Sequence, residues 1–435
     1  MDILMWDVPV PLRNHSLYTG CIDSTSREMD NPLLKQNSPL QKPAPSSVES
    51  DRQWLDNLLN EAIGRRTSDI HIEPGRDNSL MRLRIDGMLY ELDTFEKELH
   101  ATIVSQIKVL ANLDIANIHF PQDGQFEYEF DGRMHYVRVS TFPTIYGESV
   151  VLRILNRKDA LLTLPELGFD EKQLTDLMSI INRPFGMILT TGPSGSGKTT
   201  LLNSILNHLN TKDNNIMTIE DPVEFHIDGV RQTQINPYHE FGFAAALRAI
   251  LRQDPDIMMI GEIRDAETAQ IAVQATLTGR RFFSTFHTLD VLAIVARFIE
   301  MGIPRSVVAH IIGGVISARL VRKIHDKCKV PYEVKAHEMK MIGHLLPEGI
   351  ALYQGEGCDE CSNTGYYGTT GIFEVVSFDE DFRDAVIEEK PLETLKALLR
   401  EKKIKSLLGS AVDKVVEGIT TPEEVIRVTG GDTAK

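Results

Sequence analysis

Gly192-Pro193-Ser194-Gly195-Ser196-Gly197-Lys198-Thr199 is a complete G-x-x-x-x-G-K-[ST] loop. An apolar run, Gly186-Met187-Ile188-Leu189-Thr190-Thr191, leads into it and reads as a buried strand. Leu201-Leu202-Asn203-Ser204-Ile205-Leu206 follows and reads as the start of a helix. Strand, loop and helix in that order are the context in which this motif cradles a phosphate. The glycines let backbone N–H groups wrap the anion, and the helix N-terminus adds positive potential. Lys198 can reach β- and γ-phosphates, and Thr199, followed by Thr200, can hold Mg²⁺. The loop thus predicts an α/β nucleotide-binding domain with ATP as ligand.

The alternation around the loop extends from 185 to 324. Ile216-Met217-Thr218-Ile219, Ile257-Met258-Met259-Ile260 and Arg281-Phe282-Phe283-Ser284-Thr285 are short apolar strands separated by helical stretches. That pattern predicts a doubly wound parallel sheet. Upstream, residues 49–157 read as an α+β domain with a mainly antiparallel sheet. Trp54, Leu55, Leu58, Leu59, Ala62 and Ile63 recur at helical spacing, and residues 99–116 read as a second amphipathic helix. Asp86-Gly87 and Asp131-Gly132 sit between strand-like runs and predict hairpins. Residues 1–48, rich in Pro, Ser and Asn, read as a disordered tail, and 158–184 as a linker with a helix. Residues 325–373 form a loop-rich insert holding three of the four cysteines, and 374–435 a helical region.

Composition narrows the function. The 435 residues carry 46 Lys and Arg against 62 Asp and Glu, a net charge of −16. An acidic chain argues against a sequence-independent grip on nucleic acid. No apolar run approaches the roughly 20 residues needed to span a bilayer. Asp2, Trp6, Asp7 and Pro9 exclude a secretory signal, and Cys21 lies apart from the other cysteines in the tail. A loop that needs cytosolic nucleotide places the chain in the cytoplasm.

Acidic residues stand where strands should end: Glu220-Asp221-Pro222-Val223-Glu224 after one and Glu262 after another. ATP hydrolysis needs a carboxylate near Mg²⁺ and one that positions or deprotonates water. The carboxyl ends of parallel strands share one crevice, so these groups can converge, although acidic strand ends are also common as solvated groups. His287, in Ser284-Thr285-Phe286-His287-Thr288, falls on the same edge and is a candidate γ-phosphate sensor. Arg82, Arg84, Arg138 and Arg153 lie on strands of the first domain and are candidates for stabilising phosphoryl charge, or for a solvated strand face. His325-x-x-Cys328 and Cys358-x-x-Cys361 have the spacing of a structural zinc site; the alternative is one free C-x-x-C pair.

Together these motifs resemble the secretion ATPase superfamily, in particular the assembly ATPases of type II secretion and type IV pili, over residues 51 to 428. Ser68-Asp69-Ile70-His71-Ile72-Glu73-Pro74 and Arg84-Ile85-Asp86-Gly87 resemble that family's N-terminal signatures, Glu220 to Glu224 its aspartate box, Asp254-Pro255-Asp256 through Asp265 its Walker B segment, and His287 its histidine box. Gly365-Tyr366-Tyr367-Gly368 through Gly371-Ile372-Phe373-Glu374 resembles the stretch after its second cysteine pair. The resemblance implies a RecA-like ATPase domain preceded by a PAS-like α+β domain, with a metal-binding insert and C-terminal helices. It further implies a homohexamer binding ATP and Mg²⁺ between its two main domains, with Zn²⁺ in the insert. Glu224 would position water, Glu262 would act through Mg²⁺, and Arg138 and Arg153 would approach the phosphates, with Arg82 and Arg84 ranked behind them. The motor would drive an inner-membrane platform protein from the cytoplasmic face. A weakly hydrolysing structural ring and a DNA-uptake or conjugation motor are the alternatives.

Four departures stand out. His325 replaces the family's first cysteine, Thr278-Gly279-Arg280 replaces Thr-Gly-His, and His287-Thr288-Leu289-Asp290 replaces His-Thr-Asn-Asp. Residues 1–48 are too short and too polar to be the further docking domain of the larger members.

Overall fold

The structure, a computed structural model, describes residues 48–155, 161–236, 241–288 and 291–430. The expected tail falls outside these residues except for Val48, as do Cys21, Leu289, Asp290 and the linker residues 158–160.

The N-terminal lobe runs α1 (Val48–Gly64), β1 (Thr67–Pro74), β2 (Asn78–Ile85), β3 (Met88–Glu96), α2 (Lys97–Leu110), β4 (Gln122–Phe130), β5 (Arg133–Thr144) and β6 (Gly147–Leu155). The six strands form one antiparallel sheet in the order β3-β2-β1-β6-β5-β4. Both Asp-Gly pairs turn hairpins with positive φ at each residue (Asp86 48°, Gly87 83°; Asp131 51°, Gly132 68°). Such turns match the right-handed twist of the strands they join, and Asp and Gly tolerate that backbone best. Helices α1 and α2 cover one face through Trp54, Leu55, Leu58, Ile103 and Ile107, packed on Ile70, Ile72, Met81 and Val139. The opposite face carries the polar side chains.

Helix α2 ends earlier than its sequence periodicity suggests. Asn112 takes a left-handed backbone (φ 54°) just past the C-cap Ala111. The buried Lys108 ammonium donates to Asn117 O at 2.8 Å and pairs with Glu148 at 2.7 Å. Asp114 and Asn117 then accept hydrogen bonds from backbone N–H groups two to three residues on. These local bonds compete with the helix and shape residues 111–121 as a loop.

The second lobe continues through α3 (Glu171–Ile181), β7 (Gly186–Thr191), α4 (Lys198–Leu209), β8 (Ile216–Glu220), β9 (Arg231–Gln234), α5 (Phe243–Ile250), β10 (Ile257–Glu262), α6 (Ala266–Leu277), β11 (Arg281–Phe286), α7 (Val291–Glu300), α8 (Arg305–Ile311) and β12 (Ile312–Ile324). The sheet order is β15-β12-β7-β11-β10-β8-β9, where β15 is Tyr366–Ser377. Strands β12 to β9 are parallel, whereas β15 pairs antiparallel with β12 from Gly314↔Ser377 to Ile324↔Tyr366. The sheet is therefore mixed rather than purely parallel, with an antiparallel edge strand. Alternation along β7 sends Ile188 to α3 and α4 on one face and Met187 and Leu189 to α5 through α8 on the other.

Between β12 and β15 lie β13 (Lys329–Tyr332), α9 (Ala336–Ile342) and β14 (Leu352–Gly355). The chain closes with α10 (Glu380–Ile387), α11 (Leu392–Glu401), α12 (Leu407–Val416) and α13 (Pro422–Thr429). Among the described residues, no helix is long and apolar enough to cross a membrane.

Candidate active site and metal centre

Strand β7 delivers the chain into the loop at Gly192, whose φ is 154°. A Cβ there would lie 2.4 Å from Ser196 Oγ and 2.6 Å from Ala318 O, so only glycine fits. Gly197 (φ 86°) caps α4 in the left-handed region, which lets Lys198 begin the helix and point back over the loop. Lys198 Nζ donates to Gly192 O at 2.7 Å and Pro193 O at 2.8 Å. Burial first, and Arg319 after it, lower its pKa to about 8, with Glu262 opposing both. Ser196 Oγ is buried without a hydrogen-bond partner, a polar atom suited to a phosphate oxygen. Loop glycines, Lys198, Thr199 and Thr200 thus lie together at the carboxyl edge of the sheet, where β7 passes into α4.

The next strand ends supply the carboxylates. Register places Glu262 of β10 opposite Thr285 of β11, which in turn faces Thr190 of β7. His287 Nε2 lies 3.4 Å from Glu262 Oε2, and Arg264 donates to the other oxygen of Glu262. Thr191 Oγ1 reaches Thr288 O at 2.6 Å, tying the histidine segment to the strand that feeds the loop. Burial and then Lys198 hold the His287 pKa below its usual value, with Glu262 opposing, which favours the neutral imidazole.

Glu220 and Glu224 have separate environments. Glu220 is buried and accepts from Thr218 Oγ1 at 2.6 Å and Gln232 Nε2 at 3.0 Å, a structural tie between β8 and β9. Glu224 lies on the loop beyond β8. Burial raises its pKa, and the charges of Arg153 and Arg138 oppose that rise. The charges of two N-terminal-lobe arginines are thus felt at a carboxylate of the other lobe, without a direct ion pair to it.

These arginines come from one row across the open face of the first sheet. Gln125 pairs with Arg138, Arg138 with Arg153, Arg153 with Asp69 and Asp69 with Arg84. Like charges directly opposite on neighbouring strands are unfavourable unless an anion lies between them. Asp69 offsets part of this through a 2.8 Å bond from Arg153 Nε. Arg82 is engaged by Glu73 at 2.6 Å, and Arg84 by Gly87 O at 2.9 Å. Of the four, Arg138 and Arg153 are those whose charges oppose the rise in the Glu224 pKa.

Arg280 stands at the opposite end of the sheet. It precedes β11, and its guanidinium donates to Pro255 O at 2.8 Å and to Thr278 Oγ1 at 2.8 Å beside Asp254. The Thr278-Gly279-Arg280 departure thus lies at the strand starts, away from the phosphate loop. The site residue that motif reading missed is Arg319 on β12. It lies against Gly192 and lowers the Lys198 pKa, but it belongs to no spacing pattern.

The insert gathers His325, Cys328, Cys358 and Cys361, with all four ligand atoms within 4.8 Å of one another. Neighbouring atoms are 3.6 Å apart for His325 Nδ1–Cys328 Sγ, 3.3 Å for His325 Nδ1–Cys358 Sγ, 3.8 Å for Cys358–Cys361 and 4.0 Å for Cys328–Cys361. A tetrahedron with Zn–S of about 2.3 Å and Zn–N of about 2.0 Å has edges of about 3.5–3.8 Å. The donor set fits zinc, and the other ring nitrogen of His325, Nε2, lies 3.5 Å from the Glu360 carboxylate.

One pH effect follows from Lys198. In free protein its ammonium is lost as pH rises through about 8. A bound polyphosphate favours the charged form. The kcat/KM for ATP should therefore fall above about pH 8 while kcat holds to higher pH, since the two report free and ligand-bound forms. A pH–rate profile checks this; parallel falls in both parameters would remove Lys198 as the titrating group.

Residues 47–427 match the family model described as type II/IV secretion system protein. The type II secretion system protein E of Dickeya dadantii is 44% identical over 86% of this chain and 75% of its own. The type II secretion system ATPase E of Vibrio cholerae is 43% identical over 86% of this chain and 74% of its own. The type IV pilus assembly ATPase PilB of Thermus thermophilus is 38% identical over 92% of this chain and 46% of its own. Among solved structures, the Legionella pneumophila ATPase DotB aligns with a TM-score of 0.64 at 22% identity, over 86% of this chain and 94% of its own, a likeness of fold.

Proposed function

The chain belongs to the type II/IV secretion system protein family, and from that premise we propose that it is a hexameric ATP-driven motor for a type II secretion pseudopilus or a type IV pilus. It is an ATPase of the secretion and pilus-assembly branch. The observation that carries the mechanism is that Glu224 lies within the electrostatic reach of Arg138 and Arg153, while Lys198, Glu262 and His287 share the carboxyl edge of the sheet.

The loop amides and Lys198 hold the β- and γ-phosphates. Thr199 would hold Mg²⁺, with Glu262 behind it, and the ion would neutralise phosphate charge when bound. Glu224 takes the proton of the attacking water, and burial, which raises its pKa, strengthens it as a base. Arg138 and Arg153 neutralise charge on the transferring group, and neutral His287 senses the γ-phosphate beside Glu262. His325, Cys328, Cys358 and Cys361 would hold one Zn²⁺ as a closed structural site. In this reading the N-terminal lobe is 49–157, the ATPase lobe is built on the sheet that β15 edges, the metal-binding insert lies between β12 and β15, and the helical region follows β15. The motor works at the cytoplasmic face of the inner membrane, reached through a platform protein.

A structural ring that hydrolyses little is the second reading, and Arg280 is one reason for it. Its position at the strand starts weakens that reason. ATPase activity measured across gel-filtration fractions tests the proposal. Activity concentrated at six subunits is expected; nucleotide binding without turnover in every fraction would favour the structural ring.

A further inference from the structure

The zinc knuckle touches the N-terminal lobe through a short chain of side chains. Tyr367 stacks on His325 with ring centroids 5.2 Å apart and planes at 25°. The Arg66 guanidinium lies 3.5 Å from the Tyr367 ring centroid. Arg66 also pairs with Asp86 at 3.1 Å, and the same Asp86 oxygen accepts from the Gly368 amide at 3.0 Å. Asp86 opens the β2–β3 turn, where its left-handed backbone aims the carboxylate at the insert. Nearby, Arg322 donates to Tyr90 Oη at 3.3 Å while gripping Glu424. The contacts from Asp86 and Tyr90 thus leave from the β2–β3 hairpin, and Arg66 lies just before β1 alongside it.

We propose that Arg66, Tyr367 and Asp86 form a positioning clasp, in which a metal-fixed His325 ring sets the N-terminal lobe so that Arg138 and Arg153 reach Glu224. The inference rests on the zinc reading above. A ligating histidine cannot rotate its ring, so a metal at Nδ1 would hold fixed the plane on which Tyr367 stacks. Arg84, two residues before Asp86, lies in the same cross-strand row as Arg153 and Arg138. A paired sheet moves as a body, so a shift at the Asp86 turn displaces the arginines with it. Small misplacements of catalytic groups cost large factors in rate.

The test compares the full-length protein with Tyr367→Ala and Tyr367→Phe, reading zinc content, hydrogen exchange over 84–90 and 366–370, nucleotide affinity and kcat. Tyr367→Ala should keep about one zinc per chain and normal nucleotide affinity, exchange faster in both segments, and lose roughly tenfold in kcat. Tyr367→Phe keeps the ring and should match wild type. Stripping zinc from wild type should speed exchange in the same segments. Arg66→Gln, which removes charge from both the ring and Asp86, serves as the second variant if Tyr367→Ala does not fold. Wild-type kcat and exchange in Tyr367→Ala or Arg66→Gln would overturn the clasp. So would unchanged exchange after zinc removal, with the zinc reading intact. Wild type containing no metal would overturn the zinc reading, and the metal's part in the clasp with it.

Discussion

Glu224→Gln is expected to bind ATP as wild type does and to hydrolyse it about a thousandfold more slowly, within the range that loss of a general base produces. The substitution keeps shape and removes the basic oxygen. It also removes the negative charge that Arg138 and Arg153 face, so affinity for the anionic nucleotide should hold or rise. Glu220 cannot replace it, because Thr218 and Gln232 hold that carboxyl inside the sheet. Nucleotide titration together with phosphate release checks both halves. Turnover within a few-fold of wild type would remove Glu224 from the base role.

The second large effect is expected from Arg138→Ala with Arg153→Ala. Removing preorganised cations from the transferring phosphoryl group costs on the order of a hundredfold or more in kcat. ATP affinity should change little, because the loop and Lys198 carry ground-state binding. The double variant should fold: Asp69 keeps the bond from Ser68 Oγ at 2.9 Å and faces Arg84 at 3.8 Å. It also relieves the like-charge pairing of Arg138 with Arg153. A fall in kcat at unchanged nucleotide affinity separates this from damage to the loop.

Much of this was legible in sequence because the signals were local. The glycines of the phosphate loop, the two Asp-Gly turns and the paired metal-ligand spacings each act over a few residues. The β12–β15 pairing was not legible. Tyr366–Ser377 follows the second cysteine pair, yet its partner strand lies before the insert, and nothing local announces an antiparallel return. The early end of α2 was hidden because an apolar rhythm continues to Ile115 while Asn112 and the buried Lys108 turn the chain aside. Arg319 was missed because it reaches the loop from a neighbouring strand and belongs to no motif. Contacts between lobes, such as Asp86 with Gly368, exist only after both lobes have folded.

The central claim is that one hydrolytic site is closed by groups from both lobes. Its most direct test is a rapid-quench measurement of a single turnover of Mg·ATP bound to excess protein, in wild type and in the Arg138→Ala, Arg153→Ala variant. The account predicts cleavage in wild type and, with ATP equally bound, cleavage slowed by about a hundredfold or more in the variant. Equal cleavage rates in the two proteins would contradict it and place the whole site in the second lobe.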